Sequence, residues 1–146
     1  MRSIYFHYAA KKFRIPASTP LKNFIHVIFK KEKQSYLRVD YVFCSDRYLL
    51  DLNQKFLHHN YYTDVISFQL NKPNTPIVGE IYISIDRVKF NSRKYNCSLY
   101  NELLRVIIHG VLHLCGYTDK RKEDKLHMKE IENKYLDSFA RFHVKQ

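Results

Sequence analysis

His109 and His113 lie four residues apart in an apolar run, VIIHGVLHL (106 to 114); Gly116 follows, and Asp119 comes three residues after the glycine. Four residues is close to one helical turn, so the two imidazoles project from one face at a separation from which both can reach a single metal ion. Gly116 can take the left-handed conformation that ends a helix, which lets the chain reverse and return Asp119 to the same point. Two histidines and one carboxylate leave a tetrahedral ion with an open position, the design of a catalytic site. Water in that position is acidified toward a pKa of about 7, and hydrolysis is the chemistry such a set would do. The plainer alternative is a pair of core histidines and a solvated loop aspartate. It leaves two imidazoles among Ile107, Ile108, Val111, Leu112 and Leu114 in need of partners, and burial without them is costly. Metallopeptidases of the HExxH type place a glutamate base beside the first histidine, where this chain has Gly110. Peptide hydrolysis by that route is disfavoured.

The elements that must position these residues are readable from patterning. SIYFHY (3 to 8) and SYLRVDYVFC (35 to 44) read as strands. Between them Thr19 and Pro20 open a helix that runs to about Lys31, with Leu21, Phe24, Ile25, Ile28 and Phe29 at helical spacing. Asp46 can cap a helix containing Leu49, Leu50 and Phe56. TDVISFQL (63 to 70) and IVGEIYIS (77 to 84) are strand-like and flank NKPNTP, a run of turn formers. A basic segment from Asp86 to about Tyr95 is read as helical, and Ser98 caps LYNELLRVIIHGVLHLC, which is apolar on nearly every side and so should be central. RKEDKLHMKEIENKYLDSF then returns to amphipathic spacing through Leu126, Met128, Ile131, Tyr135 and Phe139.

A chain of 146 residues without repeats, linkers or low-complexity tracts reads as one domain, residues 1 to 146, with a core large enough to fold alone. Lysine and arginine number 25 against 14 acids, a net charge of +11, so a polyanion is the first partner to consider. The cations fall in scattered clusters rather than one terminal tail, which favours nucleic acid over a membrane surface; solubility alone is the simpler reading. Cys44, Cys97 and Cys115 form no CxxC pair, and no signal peptide is recognisable, so a reducing cytoplasm is expected. No apolar run approaches the roughly 18 residues of a membrane span.

HGVLHLCGYTDK resembles the pattern HGxLHLxGYDH of the YbeY family of metal-dependent endoribonucleases, matching it through Tyr117. LNQKFLHHNYYTDVISF (52 to 68) is similar to the family segment LNxxYRxxxxxTDVLSF, GEIYIS (79 to 84) to its GDIxIS strand, and Glu102 falls where the family commonly carries an acid. The chain departs from the pattern twice. Asp119 stands at the third histidine, which implies the ligand set His109, His113 and Asp119 with a weaker Lewis acid, and Leu57 stands at the family's usual arginine. Arg105, His58 and His59 are candidates to serve the phosphate instead.

The resemblance implies an α+β, zincin-like single domain, with helices packed on a small mixed β-sheet around a central metal-binding helix. It also implies one divalent ion, zinc for preference, single-stranded RNA as substrate, and a role in ribosomal RNA maturation and ribosome quality control on the ribosome. Neither a membrane nor DNA is an expected partner. Glu80 and Asp64 are candidate bases or supporting carboxylates, and Arg105 a candidate catalytic cation. Two rivals remain: a ribosome-binding assembly protein whose ion is mainly structural, and a metallopeptidase.

Overall fold

Strand β1 (Ser3–Tyr8) opens the chain and is followed by α1 (Ser18–Lys31), β2 (Tyr36–Cys44), α2 (Asp46–Leu57), β3 (Val65–Gln69) and β4 (Ile77–Ser84). Three helices complete it: α3 (Ile85–Lys94), α4 (Leu99–Leu114) and α5 (Lys122–Val144). This is a computed structural model, and it describes residues 2–10, 12–16 and 18–144, the last three as helix backbone only. The strands form one mixed sheet in the order β1-β2-β4-β3, with β1, β2 and β4 parallel and β3 antiparallel to β4. The α+β architecture is the one anticipated, helices on a small mixed sheet with the histidine-bearing helix at its centre.

Strand β4 shows why. Its residues alternate in burial, so that Gly79, Ile81 and Ile83 face α4 while Val78, Glu80 and Tyr82 face the other way. On the α4 side lies the main core, built from α1, α4, α5 and the inner face of the sheet, with Phe24, Ile28, Phe43, Ile81, Ile107 and Leu112 all fully buried. On the opposite face α2 covers a smaller cluster of Cys44, Leu49 and Ile66, with Phe68 and Tyr82 packed at its border. Residue 110 is where α4 comes closest to the sheet. A Cβ there would lie 2.7 Å from Cγ2 of Ile81, so only glycine permits the approach. The Tyr41 hydroxyl donates to the Ile107 carbonyl at 2.9 Å and satisfies a buried polar group while fastening β2 to the same helix.

Several helix boundaries differ from the sequence expectation for one physical reason. Ser45, not Asp46, caps α2 through its hydroxyl on the Tyr48 amide, and Ser84 caps α3 in the same way on the Arg87 amide. Each aspartate then sits in the first turn, where its charge meets the helix dipole. Asp46 also accepts from the Ser84 hydroxyl at 2.6 Å and from Arg87 at 2.9 Å, joining the two starts. Ser98 caps α4 as expected. Helix α1 begins at Ser18, two residues before the expected first helical position at Pro20, which still lies in the first turn where no amide bond is lost. Strand β3 is shorter than TDVISFQL, leaving Thr63 and Asp64 as a connection before it. No helix among the described residues is long and apolar enough to cross a membrane.

Two stability outcomes are expected. Gly110→Val gains a few tenths of a kcal/mol in helix propensity, but forcing a branched side chain against stiff Ile81 costs about 1–3 kcal/mol or more. Thermal unfolding should therefore fall by roughly 5 °C. Second, Asp40 on β2 accepts two hydrogen bonds from Arg38, at 2.8 and 3.0 Å, and contacts His7 of β1 at 2.7 Å. The Arg38 bond holds its carboxyl below the usual range, outweighing partial burial, with His7 adding to the effect. The folded chain thus binds this proton less tightly than the unfolded one. The stabilisation is complete above the ordinary carboxylate value of about 3.9 and is lost as pH falls through the lower folded value. Denaturant midpoints measured from pH 6 to 2 should show this loss in the parent and a flatter acid limb in Asp40→Asn.

Candidate metal centre

Helix α4 carries both histidines on its solvent-side shoulder, and its C-terminus turns their neighbours back over them. Gly116, at φ 102°, donates to the His113 carbonyl at 3.0 Å, and Tyr117 donates to the Leu112 carbonyl at 3.1 Å. This pair of bonds is the Schellman closure, which requires the left-handed residue that glycine supplies. The reversed chain brings Asp119 Oδ2 to 3.3 Å from His109 Nε2 and 3.5 Å from His113 Nε2, while the two Nε2 atoms are 2.8 Å apart. Among the described residues these three side chains form the cluster whose ligand atoms converge tightly enough to hold an ion.

The other ring nitrogens fix which atoms converge. His113 Nδ1 lies 3.0 Å from the Tyr117 carbonyl, which can only accept, so Nδ1 carries the proton and Nε2 presents its lone pair. His109 Nδ1 is hydrogen-bonded to Glu132 Oε2 at 2.5 Å, and Glu132 in turn accepts from Arg105 at 2.9 Å. Two Nε2 lone pairs and a carboxylate oxygen thus face one point, an arrangement that repels itself unless a cation is present. An ion with bonds of 2.0–2.1 Å to tetrahedral ligands needs donors about 3.3 Å apart. Two edges of the observed triangle, 3.3 and 3.5 Å, meet that requirement and the third, 2.8 Å between the Nε2 atoms, is shorter; imidazole with carboxylate is a donor set suited to zinc and its neighbours.

Electrostatics around the triangle are uneven. Burial works to lower the His109 pKa, but the Glu132 hydrogen bond and charge, with Asp64 and Asp119, raise it overall. His113 is lowered, first by burial and then by His109. Burial pushes Asp64 up in spite of His109, and pushes Glu102 up in spite of Arg105.

Two grooves meet here. One, of about 660 Å³, runs between β3 and the turn and is lined by Leu57, His59, Tyr61 and Lys120 among others; the second, of about 600 Å³, runs between α3, α4 and α5. Asp64, His109 and Asp119 line both, so the triangle sits at their junction.

The residues singled out from sequence separate clearly. His109, His113 and Asp119 are brought together, Asp64 stands beside them, and Arg105 reaches the site through Glu132. Glu80 is a correction. It pairs in register with Asp40 and Phe68 on the sheet face turned toward α2, because Gly79 and Ile81 take the face toward α4, and it lines neither groove. His58 caps α2 in a left-handed conformation and also lies outside the grooves, whereas His59 enters the first. Glu132, only 6% exposed, was not anticipated. Its signal was available: it falls between Met128 and Tyr135 on the buried stripe of α5, where a lone carboxylate needs a partner. Glu32 was missed as well. It accepts the hydroxyls of Tyr117, at 2.7 Å, and Tyr135, and so ties the end of α1 to the turn.

A sequence profile of the family described as Endoribonuclease YbeY matches residues 7–140. Similar proteins of that name include those of Cytophaga hutchinsonii, 41% identical over 134 residues (92% of this chain, 94% of the relative), and Karelsulcia muelleri, 42% identical over 130 residues (89% and 92%). Flavobacterium psychrophilum has another, 43% identical over 134 residues (92% and 93%). Among solved structures, the solution structure of TM1509 from Thermotoga maritima is similar with a TM-score of 0.62 and 30% identity, over 94% of this chain and 89% of that one.

The Glu132 contact carries an expected outcome. Partners that orient a ligating histidine typically contribute 10–100-fold to metal affinity. Glu132→Gln should weaken binding of one divalent ion by that factor in calorimetric titration while leaving the far-UV spectrum unchanged.

Proposed function

Because the chain belongs to the YbeY family of endoribonucleases, we propose that it is a metal-dependent hydrolase that cuts single-stranded ribosomal RNA in ribosome maturation and quality control. It acts as one domain over residues 1 to 146, in the cytoplasm, with the ribosome as its partner. The observation that carries this reading is the convergence of His109 Nε2, His113 Nε2 and Asp119 Oδ2 at the junction of two open grooves. A site open on both sides suits a strand that continues past the point of cleavage in both directions.

His109, His113 and Asp119 hold the ion, with zinc the first choice for this donor set. Bound there, it supplies Lewis acidity, which polarises a phosphoryl oxygen and acidifies water to a pKa of about 7. The chain's own groups do the rest. Glu132 keeps the His109 proton on Nδ1, and the Tyr117 carbonyl does the same for His113, so both Nε2 atoms stay available as ligands. Asp64, half-buried and with raised proton affinity, lies where it can take a proton from the attacking water and return it to the leaving oxygen. Arg105, held by Glu132, adds positive charge beside the reacting phosphate.

The rival in which the ion serves only the fold finds less support, since all three ligands are partly open to a groove and the helix end is already closed by its own backbone bonds. A peptidase of the HExxH type would carry its glutamate base at residue 110, and Gly110 is packed on Ile81 instead.

The test is cleavage of a labelled single-stranded RNA. The parent should cut internally and stop when metal is stripped, and His113→Ala should lose at least about 10²-fold, the scale on which single stabilising groups at a reacting centre act. Cells lacking the protein should accumulate ribosomal RNA with unprocessed ends. An equally active, metal-free His113→Ala protein would sink the proposal.

A further inference from the structure

We infer that the turn into α5 and the start of that helix form a lysine rail which leads the phosphates of a single strand through the junction of the two grooves, in place of the cation missing at Leu57. The inference deepens the endoribonuclease reading and rests on it for the identity of the strand. Lys120 lines the first groove, and Lys125 and Lys129 line the second, with Asp119 at the junction between them. All three lysines are exposed and have no ion-pair partner among the described residues. Arg121, by contrast, is paired with Glu123 and Asp124, at 3.2 and 3.1 Å, and is not offered to a ligand.

Three features make this a path and not a scatter of surface charge. First, Lys125 and Lys129 are one turn apart on a helix face, a rise of about 6 Å, which matches the step between neighbouring phosphates in an extended strand. Second, the charge deeper in the second groove is already paired: Arg105 is bound to the buried Glu132 at 2.9 Å, so the unpaired positive charge of that groove stands on its rim, where the lysines are. Third, each groove also presents an exposed tyrosine, Tyr61 in the first and Tyr95 in the second, as a face on which an unpaired base can stack. Cations tracking a backbone beside aromatic platforms is the recognition mode of single strands. Leu57, 39% exposed in the first groove, leaves Lys120 and His59 as the basic residues there besides the two proposed ligand histidines.

Binding of a fluorescent single-stranded oligoribonucleotide, followed by anisotropy from low to high salt without added metal, tests the rail independently of catalysis. Each phosphate neutralised on a single strand contributes about 0.7 to the slope of log affinity against log salt. Lys125→Gln/Lys129→Gln should therefore flatten the slope by about 1.4 and weaken binding several-fold. In cleavage assays the same variant should raise KM and leave kcat near that of the parent. Lys30→Gln/Lys134→Gln, whose lysines line neither groove, should match the parent in both measurements. An unchanged slope in the first variant, or tighter binding of duplex than of single strand by the parent, overturns the inference. A parent that cuts no RNA but shows the slope difference would overturn the endoribonuclease reading and leave the rail standing.

Discussion

Two imidazole lone pairs and a carboxylate oxygen held within 3.5 Å of one another are the constraint around which this molecule is arranged. Such a triangle concentrates electron-rich atoms that suit positive charge at its centre, and the surrounding structure holds them in place. It does so from behind the rings. The Tyr117 carbonyl fixes one imidazole, and Glu132 fixes the other while sharing its charge with Arg105. Glu32 takes the Tyr117 hydroxyl, so the turn is gripped at both its backbone and its side chain. Two segments distant in sequence, the end of α1 and α5, therefore bear on a site whose proposed ligands come from one stretch.

The rigidity behind this grip comes from packing. Helix α4 is pressed against β4 at Gly110 and pinned to β2 by Tyr41, with Ile81, Ile83, Ile107 and Leu112 filling the layer between. Interiors packed at this density do not deform continuously, so a ring position set by the helix is held to fractions of an ångström. The glycine that excludes a peptidase-type base is thus first a packing residue.

What could be read from the sequence was what depends on local chemistry. The i, i+4 histidines, the glycine stop and the returning aspartate are encoded within one stretch, and the apolar character of α4 announced its central place. The alternation in GEIYIS also separates Glu80 from Ile81 and Ile83. It does not say which sheet face α4 will cover, and for that reason Glu80 reads as a candidate carboxylate although it faces away from the site. The α2 cap differs from the expectation because Ser45 and Asp46 are adjacent and either can accept the first amide; Ser45 takes it, leaving Asp46 for the helix dipole and for the Ser84 hydroxyl. Glu132 and Glu32 depend on contacts with residues 23 and 85 positions away, and only tertiary structure supplies those.

The Schellman turn has a further consequence for assembly of the centre. Because His109, His113 and Asp119 all belong to one helix end and its reversal, the loop that must close to gather them is short, and closing it costs little chain entropy. Glu132 arrives only when α5 docks. On the proposed ligand set, an ion would therefore be held loosely before α5 docks and more tightly once Glu132 orients His109. Affinity for the ion would then report on whether the C-terminal helix is in place.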